Sequence, residues 1–303
     1  MITRREMLAM CGAAAASAAG NPMSAFATPV PPEMHTRMIL PSKERLPVIG
    51  LGTWQTFDVS DSGAARQPLE KVLSLFVKLG GRLVDSSPMY GRSETMVGDI
   101  AAKLGVRDKL FMATKVWTAG KSEGIAQMTS SEKKLRGKVD LMQVHNLLDA
   151  DTHLATLREW KAARRIRYLG ITHYTAGAYD NLERYLHRHD LDFIQLNYSL
   201  AEREAENRIL PLARELGVSV LVNRPFGGGS LFRETRGKAL PAFAKELDCT
   251  SWAELFLKFV ISHPAVTCAI PATSNPDHLM QNMRAGFGKL PDAAMRKRIA
   301  EAV

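Results

Sequence analysis

Cysteine is scarce in this sequence, and its scarcity excludes two kinds of protein. Only three of the 303 residues are cysteines, namely Cys11, Cys249 and Cys268. So few thiols in so long a chain do not form a disulfide framework, and no spacing of Cys and His is typical of a zinc site. We predict one buried cysteine on a strand, one cysteine in a loop, and no metal centre.

Long hydrophobic runs are absent as well. The mildly apolar stretch Met7–Gly20 is too short and too weak for a permanent membrane anchor. It follows Arg4-Arg5, which resembles the start of a twin-arginine export signal, and precedes Ala25-Phe26-Ala27, an A-x-A cleavage pattern. The sequence therefore predicts an export signal over residues 1–27, the twin-arginine machinery as a partner, and a periplasmic location.

The composition of residues 28–303 indicates one folded domain. The chain is 46% hydrophobic and 23% charged, so this region can bury one large core, and the eight-stranded α/β barrel is the foremost single-domain architecture of that size. The net charge of +9 comes from lysines and arginines spread among nearly as many acids. That distribution predicts a solvated, anion-attracting surface and no nucleic-acid partner.

Short apolar strands alternate with amphipathic helices along this region. A hairpin is predicted at Met38–Leu40 and Leu46–Val48, and eight β-then-α units follow. Such strands form a parallel sheet buried on both faces, and eight of them close into a (β/α)8 barrel. The long segment Phe226–Asp248 is predicted to cross the active face of the barrel, partly as helix near Pro241–Leu247.

Four polar residues stand at or just after the ends of predicted strands: Asp85, Tyr90, Lys115 and His145. Because the carboxyl ends of barrel strands share one rim, these side chains are predicted to converge there. A lysine ammonium lowers the pKa of a nearby phenol, and a histidine can donate a hydrogen bond to a carbonyl oxygen. Each residue alone could be structural, but the four together are typical of a catalytic site.

Two tryptophans follow the first and third predicted strands. Trp54 and Trp117 are predicted to line an apolar substrate pocket, with packing in the core as the alternative.

The chain resembles the aldo/keto reductases over residues 38–285. The matching motifs are, in order, PVIGLGTW, VDSSPMYGRSE, ATKVW, VDLMQVHN, YLGITHY, IQLNYS and AIPATSNPDHLMQN. The resemblance implies a monomeric barrel that binds a nicotinamide cofactor, usually NADPH, and reduces an aldehyde or ketone to an alcohol. It makes Tyr90 the proton donor and Lys115 and Asp85 the pair that adjusts the pKa of Tyr90. It makes His145 the residue that orients the substrate carbonyl.

The resemblance also implies a cofactor site on the same rim. Gln195 would hold the nicotinamide carboxamide, and the adenosine side would contact Thr273, Ser274, Asn275 and Asn282, where a helix N-terminus suits phosphate.

Residues at three sites depart from the family's pattern. Thr172-His173 stands where Ser-Asn is common, so the carboxamide contact is altered, and His173 is either a pocket residue or a helix cap. Asn223-Arg224 stands where many members stack an aromatic ring on the nicotinamide. Ala272 and His278 replace the usual Lys and Arg of the 2′-phosphate site. We expect a weaker preference for NADPH, with NADH possible and Arg224 as the 2′-phosphate contact.

Other interpretations stay open. The protein could be a cofactor-binding sensor or interaction subunit with little turnover, or a metal-dependent hydrolase that uses Asp85 and His145. His187-Arg188-His189-Asp190 resembles a metal cluster, but its place at a helix end favours a solvated last turn. Gly227–Gly229 is not a phosphate-binding fingerprint, since no helix follows at the required offset, and it predicts a mobile loop over the cofactor.

Overall fold

The computed structural model describes residues 33–188 and 190–303. The predicted export signal, including Arg4, Arg5 and Cys11, and His189 of the His-rich run lie outside the described residues.

The described chain folds as a (β/α)8 barrel preceded by an antiparallel hairpin, which confirms the predicted fold class. The hairpin pairs β1 (Thr36–Met38) with β2 (Arg45–Pro47). The barrel strands are β3 (Leu51–Gly52), β4 (Leu83–Asp85), β5 (Phe111–Val116), β6 (Leu141–His145), β7 (Tyr168–Thr172), β8 (Phe193–Asn197), β9 (Ser219–Asn223) and β10 (Val266–Ala269).

The barrel closes on itself through backbone contacts between its first and last strands. From β3 to β10, each strand pairs in parallel with the next one in the chain. Parallel bridges then join Ile49 to Ala269 and Gly52 to Ala272. The consecutive strand order means that each β-then-α unit lies beside its neighbours in sequence, as a (β/α)8 barrel requires.

Helices cover the outside of the barrel. They are α1 (Gly63–Lys78), α2 (Ser93–Lys103), α3 (Lys121–Lys134), α4 (Ala150–Ala162), α5 (Tyr179–Arg188), α6 (Ile209–Glu215), α7 (Ser230–Glu234), α8 (Trp252–Ile261), α9 (Pro276–Arg284) and α10 (Ala293–Glu301). In α1, the buried residues Leu69, Val72 and Phe76 recur at helical spacing, and the Ser62 side chain accepts a hydrogen bond from the amide of Ala65 at the helix start. No helix in the described part of the chain is long and apolar enough to cross a bilayer.

Alternation along the strands divides the core into two parts. Outward side chains such as Val84 and Met112 pack against the helices, whereas Leu83 and Phe111 fill the barrel interior. Ile39 beside the hairpin joins the interior cluster. The hairpin therefore closes the amino-terminal end of the barrel, and the carboxyl ends of the strands stay open to ligands.

Several local predictions are settled by the structure. Cys268 is buried on β10 and Cys249 is buried in a loop, both as free thiols, which confirms the predicted pair. The segment after β9 contains a predicted helical part, observed as a 3-10 helix at Ala242–Leu247. It also contains a feature that the sequence analysis did not expect, because Gly227–Gly229 form a 3-10 turn that leads directly into α7.

Candidate active site

Strand alternation brings a polar layer into the barrel above its apolar interior. Leu83 and Asp85 are two residues apart on β4, so both point inward, and the same spacing relates Leu141 to Gln143 and His145 on β6. On both strands the polar residues lie nearer the carboxyl end than the leucine does, so the polar layer faces the open rim.

Asp85 and Lys115 form a buried ion pair at the centre of this layer. The Lys115 ammonium donates to Asp85 Oδ2 at 2.6 Å and to the carbonyl oxygen of Ser86 at 2.7 Å. Burial alone would lower the pKa of Lys115, but the charge of Asp85 and the interaction with Tyr90 raise it above its ordinary value. The contact with Asp85 therefore favours the charged form of Lys115.

Tyr90 lies beside this cation, in the turn between β4 and α2. Lys115 Nζ is 4.9 Å from the centre of the Tyr90 ring. The next residue, Gly91, has φ of +57°, and a Cβ there would lie 2.3 Å from an oxygen of Asp58. Only glycine fits that turn without strain, so Gly91 fixes the backbone that carries the phenol.

The pKa of Tyr90 is raised, which corrects the predicted lowering. Burial of the phenol is the largest cause of the rise, and Asp85 adds to it. Lys115 lowers the pKa as predicted, by its charge and by hydrogen bonding, but this effect is outweighed. The phenol is therefore protonated at neutral pH and can act as a proton donor.

His145 completes the group at the end of β6. Its side chain is buried, its Nδ1 lies 3.1 Å from Ser87 Oγ, and its ring meets that of Tyr90 edge-on with centroids 5.8 Å apart. Burial first, then the charge of Lys115, lowers the pKa of His145 to about 2. The imidazole is thus neutral and can donate one hydrogen bond to a substrate without carrying charge.

Two side-chain amides contact Asp85, of which Gln195 was predicted as a cofactor contact and Gln143 was not predicted as a site residue. Gln143 Nε2 and Gln195 Nε2 each donate to Asp85 Oδ1 at 3.0 Å, and Gln195 Nε2 also donates to Gln143 Oε1 at 3.1 Å. Gln143 could have been found from the sequence, because it lies two residues before His145 on a buried strand and must share its inward face. Ser86 and Ser87 carried no comparable signal.

The strand ends beyond Gln195 carry the predicted nicotinamide-side residues. Thr172 Oγ1 donates to Gln195 Oε1 at 3.2 Å, and Asn223 Nδ2 donates to the carbonyl oxygen of His173 at 3.0 Å. Asn223 Oδ1 and Arg224 Nε are both buried without a hydrogen-bond partner. Because such atoms are costly to leave unpaired, this part of the rim fits a polar ligand such as a nicotinamide cofactor.

The predicted adenosine-side residues lie around the start of α9. Ser274, Asn275 and His278 are exposed, whereas Thr273 and Asn282 are buried. Asn275 caps the helix by accepting from the amide of Asp277 at 2.8 Å. This end of the predicted cofactor site therefore contains both exposed and buried polar side chains. Ala272 and His278, which stand where many family members carry cations, are both exposed.

Both tryptophans lie at the rim. Trp54 is 47% exposed and Trp117 is 41% exposed, so the alternative of packing in the core is wrong. The Trp117 ring centroid lies 6.4 Å from that of His145. Exposed apolar side chains also follow other barrel strands, including Met89, Leu148 and Tyr174.

His187 and Arg188 of the His-rich run do not contribute to this site. His187 and Arg188 are exposed in the last turn of α5, as the solvated-turn interpretation predicts. Within residues 33–188 and 190–303, no cluster of three or more His, Cys, Asp or Glu side chains could hold a metal ion.

Sequence comparison identifies the family of the chain. The model of the aldo/keto reductase family matches residues 48–302. Among curated relatives, the aldo-keto reductase YhdN of Bacillus subtilis is 28% identical over 57% of this chain and 56% of its own length. This chain thus spans little more than half the length of that relative. Methylglyoxal reductase YeaE of Escherichia coli is 27% identical over 78% of this chain and 84% of its own.

Structure comparison agrees with the fold. An aldo/keto reductase from Klebsiella pneumoniae, solved in complex with NADP and acetate, superposes with a TM-score of 0.73 at 23% identity, covering 86% of this chain and 92% of that one. The observed barrel agrees with the family match over most of the chain. The chain belongs to the aldo/keto reductase family.

Proposed function

We propose that this protein reduces an aldehyde or ketone to an alcohol, with NADPH as hydride donor and Tyr90 as proton donor. The observation that carries the proposal is the burial of the Lys115 ammonium between the Asp85 carboxylate, at 2.6 Å, and the Tyr90 ring, at 4.9 Å. A buried cation is expensive to maintain, and here it faces a phenol at the open rim. That placement favours catalysis over stability as its role.

Each residue of the group has a distinct part in the proposed reaction. A bound NADPH would supply the hydride. The neutral imidazole of His145 orients the substrate carbonyl by hydrogen bonding, and the phenol of Tyr90 gives its proton to the carbonyl oxygen. Lys115 then stabilises the phenolate that remains, and Asp85 keeps the ammonium in position.

NADP(H) is favoured as the cofactor. The structurally similar Klebsiella enzyme was solved with NADP, and the surplus of positive charge favours a ligand with an added phosphate. The proposed contacts are Thr172, Gln195, Asn223, Arg224, Thr273, Ser274, Asn275, His278 and Asn282. Arg224 is the candidate for the 2′-phosphate, since its guanidinium lies 3.9 Å from Glu202 and its buried Nε has no hydrogen-bond partner within the described residues. NADH remains a second possible cofactor because Ala272 and His278 carry no fixed charge.

The substrate is proposed to be a small carbonyl compound that enters an apolar mouth. Trp54 follows β3 and Trp117 follows β5, both are exposed, and both would line that mouth. Methylglyoxal is a first candidate, because the relative YeaE is a methylglyoxal reductase. The non-catalytic sensor is not favoured, because it gives no reason for a buried cation beside a phenol.

Turnover with a panel of carbonyl compounds separates the enzyme from the sensor. We expect the fluorescence of protein-bound NADPH to decay when methylglyoxal or an aromatic aldehyde is added, with the matching alcohol as product. Stable fluorescence across the panel would favour the sensor. Activity that survives a chelator would count against a metal-dependent hydrolase.

We also propose that the enzyme is exported as a folded, cofactor-loaded monomer through the twin-arginine pathway. The support is the sequence pattern of residues 1–27, because this pathway carries folded proteins and dinucleotides are made in the cytoplasm. Replacing Arg4 and Arg5 with lysine should retain active enzyme in the cytoplasm. Unchanged periplasmic activity would contradict this route.

A further inference from the structure

We propose that Gln127 is a positioning residue that holds Trp117 beside His145 and thereby makes the enzyme prefer aromatic carbonyl substrates over small aliphatic ones. The inference rests on the proposed function, because it concerns the substrate mouth of that reaction. Trp117 was predicted to line this mouth, but nothing in the sequence pointed to Gln127, which lies on α3. Gln127 holds Trp117 through its backbone, with two hydrogen bonds.

Trp117 follows the last residue of β5, where the sheet no longer fixes its backbone. The pairing of β5 with β6 ends at Val116, so the amide and carbonyl groups of Trp117 lie beyond the ladder. Side chains alternate along the strand direction, and the buried Lys115 points into the barrel. Trp117, two residues later, points to the same side, and its ring centroid lies 6.4 Å from that of His145.

The side-chain amide of Gln127 takes the place of a neighbouring strand. The Trp117 backbone amide donates to Gln127 Oε1 at 2.6 Å, and Gln127 Nε2 donates to the Trp117 carbonyl oxygen at 3.1 Å. Because one backbone group can only donate and the other can only accept, the two bonds fix the orientation of the side-chain amide. An ionised glutamate could form only the first bond, since both of its oxygens are acceptors.

The rest of this loop is tied to the segment that follows β6. The Thr118 carbonyl oxygen lies 2.6 Å from His153 Nε2, and the Gly120 amide donates to Asp149 Oδ2 at 2.8 Å. His153 lies on α4, and Asp149 directly precedes that helix. The protein itself therefore holds the backbone from Trp117 to Gly120 at three residues, and the indole stands on a rigid support.

An indole held in this way gives the substrate a fixed apolar wall. Trp117 is 41% exposed, so much of the ring is available to a ligand. Aromatic rings pack against one another in preferred orientations, and this adds to what burial of apolar surface contributes. An aromatic aldehyde would gain from a wall that is already ordered, because the indole loses no further freedom on binding. Methylglyoxal has no ring and would gain little.

Steady-state kinetics with two substrates tests this role. We would measure kcat and KM for benzaldehyde and for methylglyoxal at saturating NADPH, in the wild type, Gln127→Met and Gln127→Glu. Methionine keeps the length of the side chain and removes both hydrogen bonds, whereas glutamate removes one and keeps the test available if the first variant is unstable. Gln67→Met is the matched control, because Gln67 is exposed on another helix, α1. Thermal melting confirms that each variant is folded.

We expect Gln127→Met to raise KM for benzaldehyde about 5-fold, the order of effect of one aromatic contact, and KM for methylglyoxal by less than about 2-fold. The effect should fall on KM more than on kcat, because the indole contacts the bound substrate rather than the reacting atoms. Gln127→Glu should change the preference in the same direction. Gln67→Met should leave both KM values unchanged.

A second substitution shows whether Gln127 acts through Trp117. Trp117→Leu removes the indole but keeps the backbone groups that Gln127 binds. In this background, Gln127→Met should no longer change the preference between the two aldehydes, because the two substitutions remove the same interaction and their effects are not additive.

Three outcomes would overturn the inference. One is an equal loss with both aldehydes, which a merely structural role predicts. Another is an unchanged ratio of the two KM values in both Gln127→Met and Gln127→Glu. The third is a change of that ratio that persists in the Trp117→Leu background. If the wild type reduces neither aldehyde, the proposed function fails instead, so the two failures are distinguishable.

Discussion

Lys115 Nζ lies 2.6 Å from Asp85 Oδ2, and both side chains are almost completely buried. Asp85 is the last residue of β4 and Lys115 is the last but one of β5, and these two strands pair in parallel. Their contact therefore depends on strand order and register rather than on any flexible loop. A pair held this rigidly keeps a cation in one place beside Tyr90.

Removing the charge of Asp85 should destabilise the fold. Asp85→Asn leaves Lys115 buried without its counter-charge, which costs about 3–5 kcal/mol and lowers Tm by roughly 10 °C. Adding Lys115→Met to the same chain should recover much of this loss, because the buried charge is then gone. Thermal melting of the three proteins measures the effect.

An exposed ion pair gives the control for that experiment. Lys121 lies 3.1 Å from Glu159, and both side chains are more than half exposed. Lys121→Met should change stability by less than about 1 kcal/mol. A similar Tm for Asp85→Asn and Lys121→Met would contradict the assigned importance of the buried pair.

The pH dependence of kcat should follow the phenol alone. Because the pKa of Tyr90 is raised, carbonyl reduction should persist through neutral and mildly alkaline pH and decline only as pH rises through that raised value. His145, with its pKa near 2, should produce no inflection near neutral pH.

A variant at Lys115 tests the direction of this effect. Lys115 lowers the pKa of Tyr90, so Lys115→Met should move the alkaline decline to higher pH and reduce kcat at neutral pH. A decline that moves to lower pH would show that the electrostatic interaction has been assigned the wrong sign.

Ser87 should orient His145 during catalysis. Because Ser87 Oγ lies 3.1 Å from Nδ1 of the imidazole, Ser87→Ala should free the ring to rotate and lower kcat/KM on the order of 10-fold. Ser93→Ala is the control, because Ser93 is also buried but its hydroxyl contacts the carbonyl oxygen of Thr53 at 3.4 Å. Equal losses in the two variants would refute a specific role for Ser87.

Gly52 is required for closure of the barrel. A Cβ at Gly52 would lie 2.6 Å from the carbonyl oxygen of Ile270, so Gly52→Ala should force β3 away from the last strand and cost about 1–3 kcal/mol. Gly63→Ala is the control, because nothing lies within 4 Å of a Cβ there. Denaturant unfolding should show a loss for the first variant and none for the second.

The sequence predicts the location of the catalytic group well, because strand ends and period-2 alternation are local properties. Asp85, Lys115 and His145 could be placed on one rim without a structure. The hairpin was predicted with its strands one to two residues too late, since turn geometry rather than hydrophobicity sets its register. The final helix α10 lay outside the resemblance and was not predicted.

The electrostatics and the amide network could not be predicted in the same way. Whether the pKa of Tyr90 rises or falls depends on how burial compares with the charge of Lys115, and burial is a tertiary quantity. The use of Gln195 by Asp85, Gln143 and Thr172 depends on contacts across several strands. Spacing along the chain does not contain that information.

The most direct test of the central claim is kcat for NADPH-dependent carbonyl reduction by Tyr90→Phe, measured together with Kd for NADPH. The substitution removes only the hydroxyl group that gives the proton. The account predicts a fall in kcat on the order of 100-fold or more with nearly unchanged cofactor binding, as expected for an interaction made only in the transition state. Full turnover by Tyr90→Phe would contradict the account.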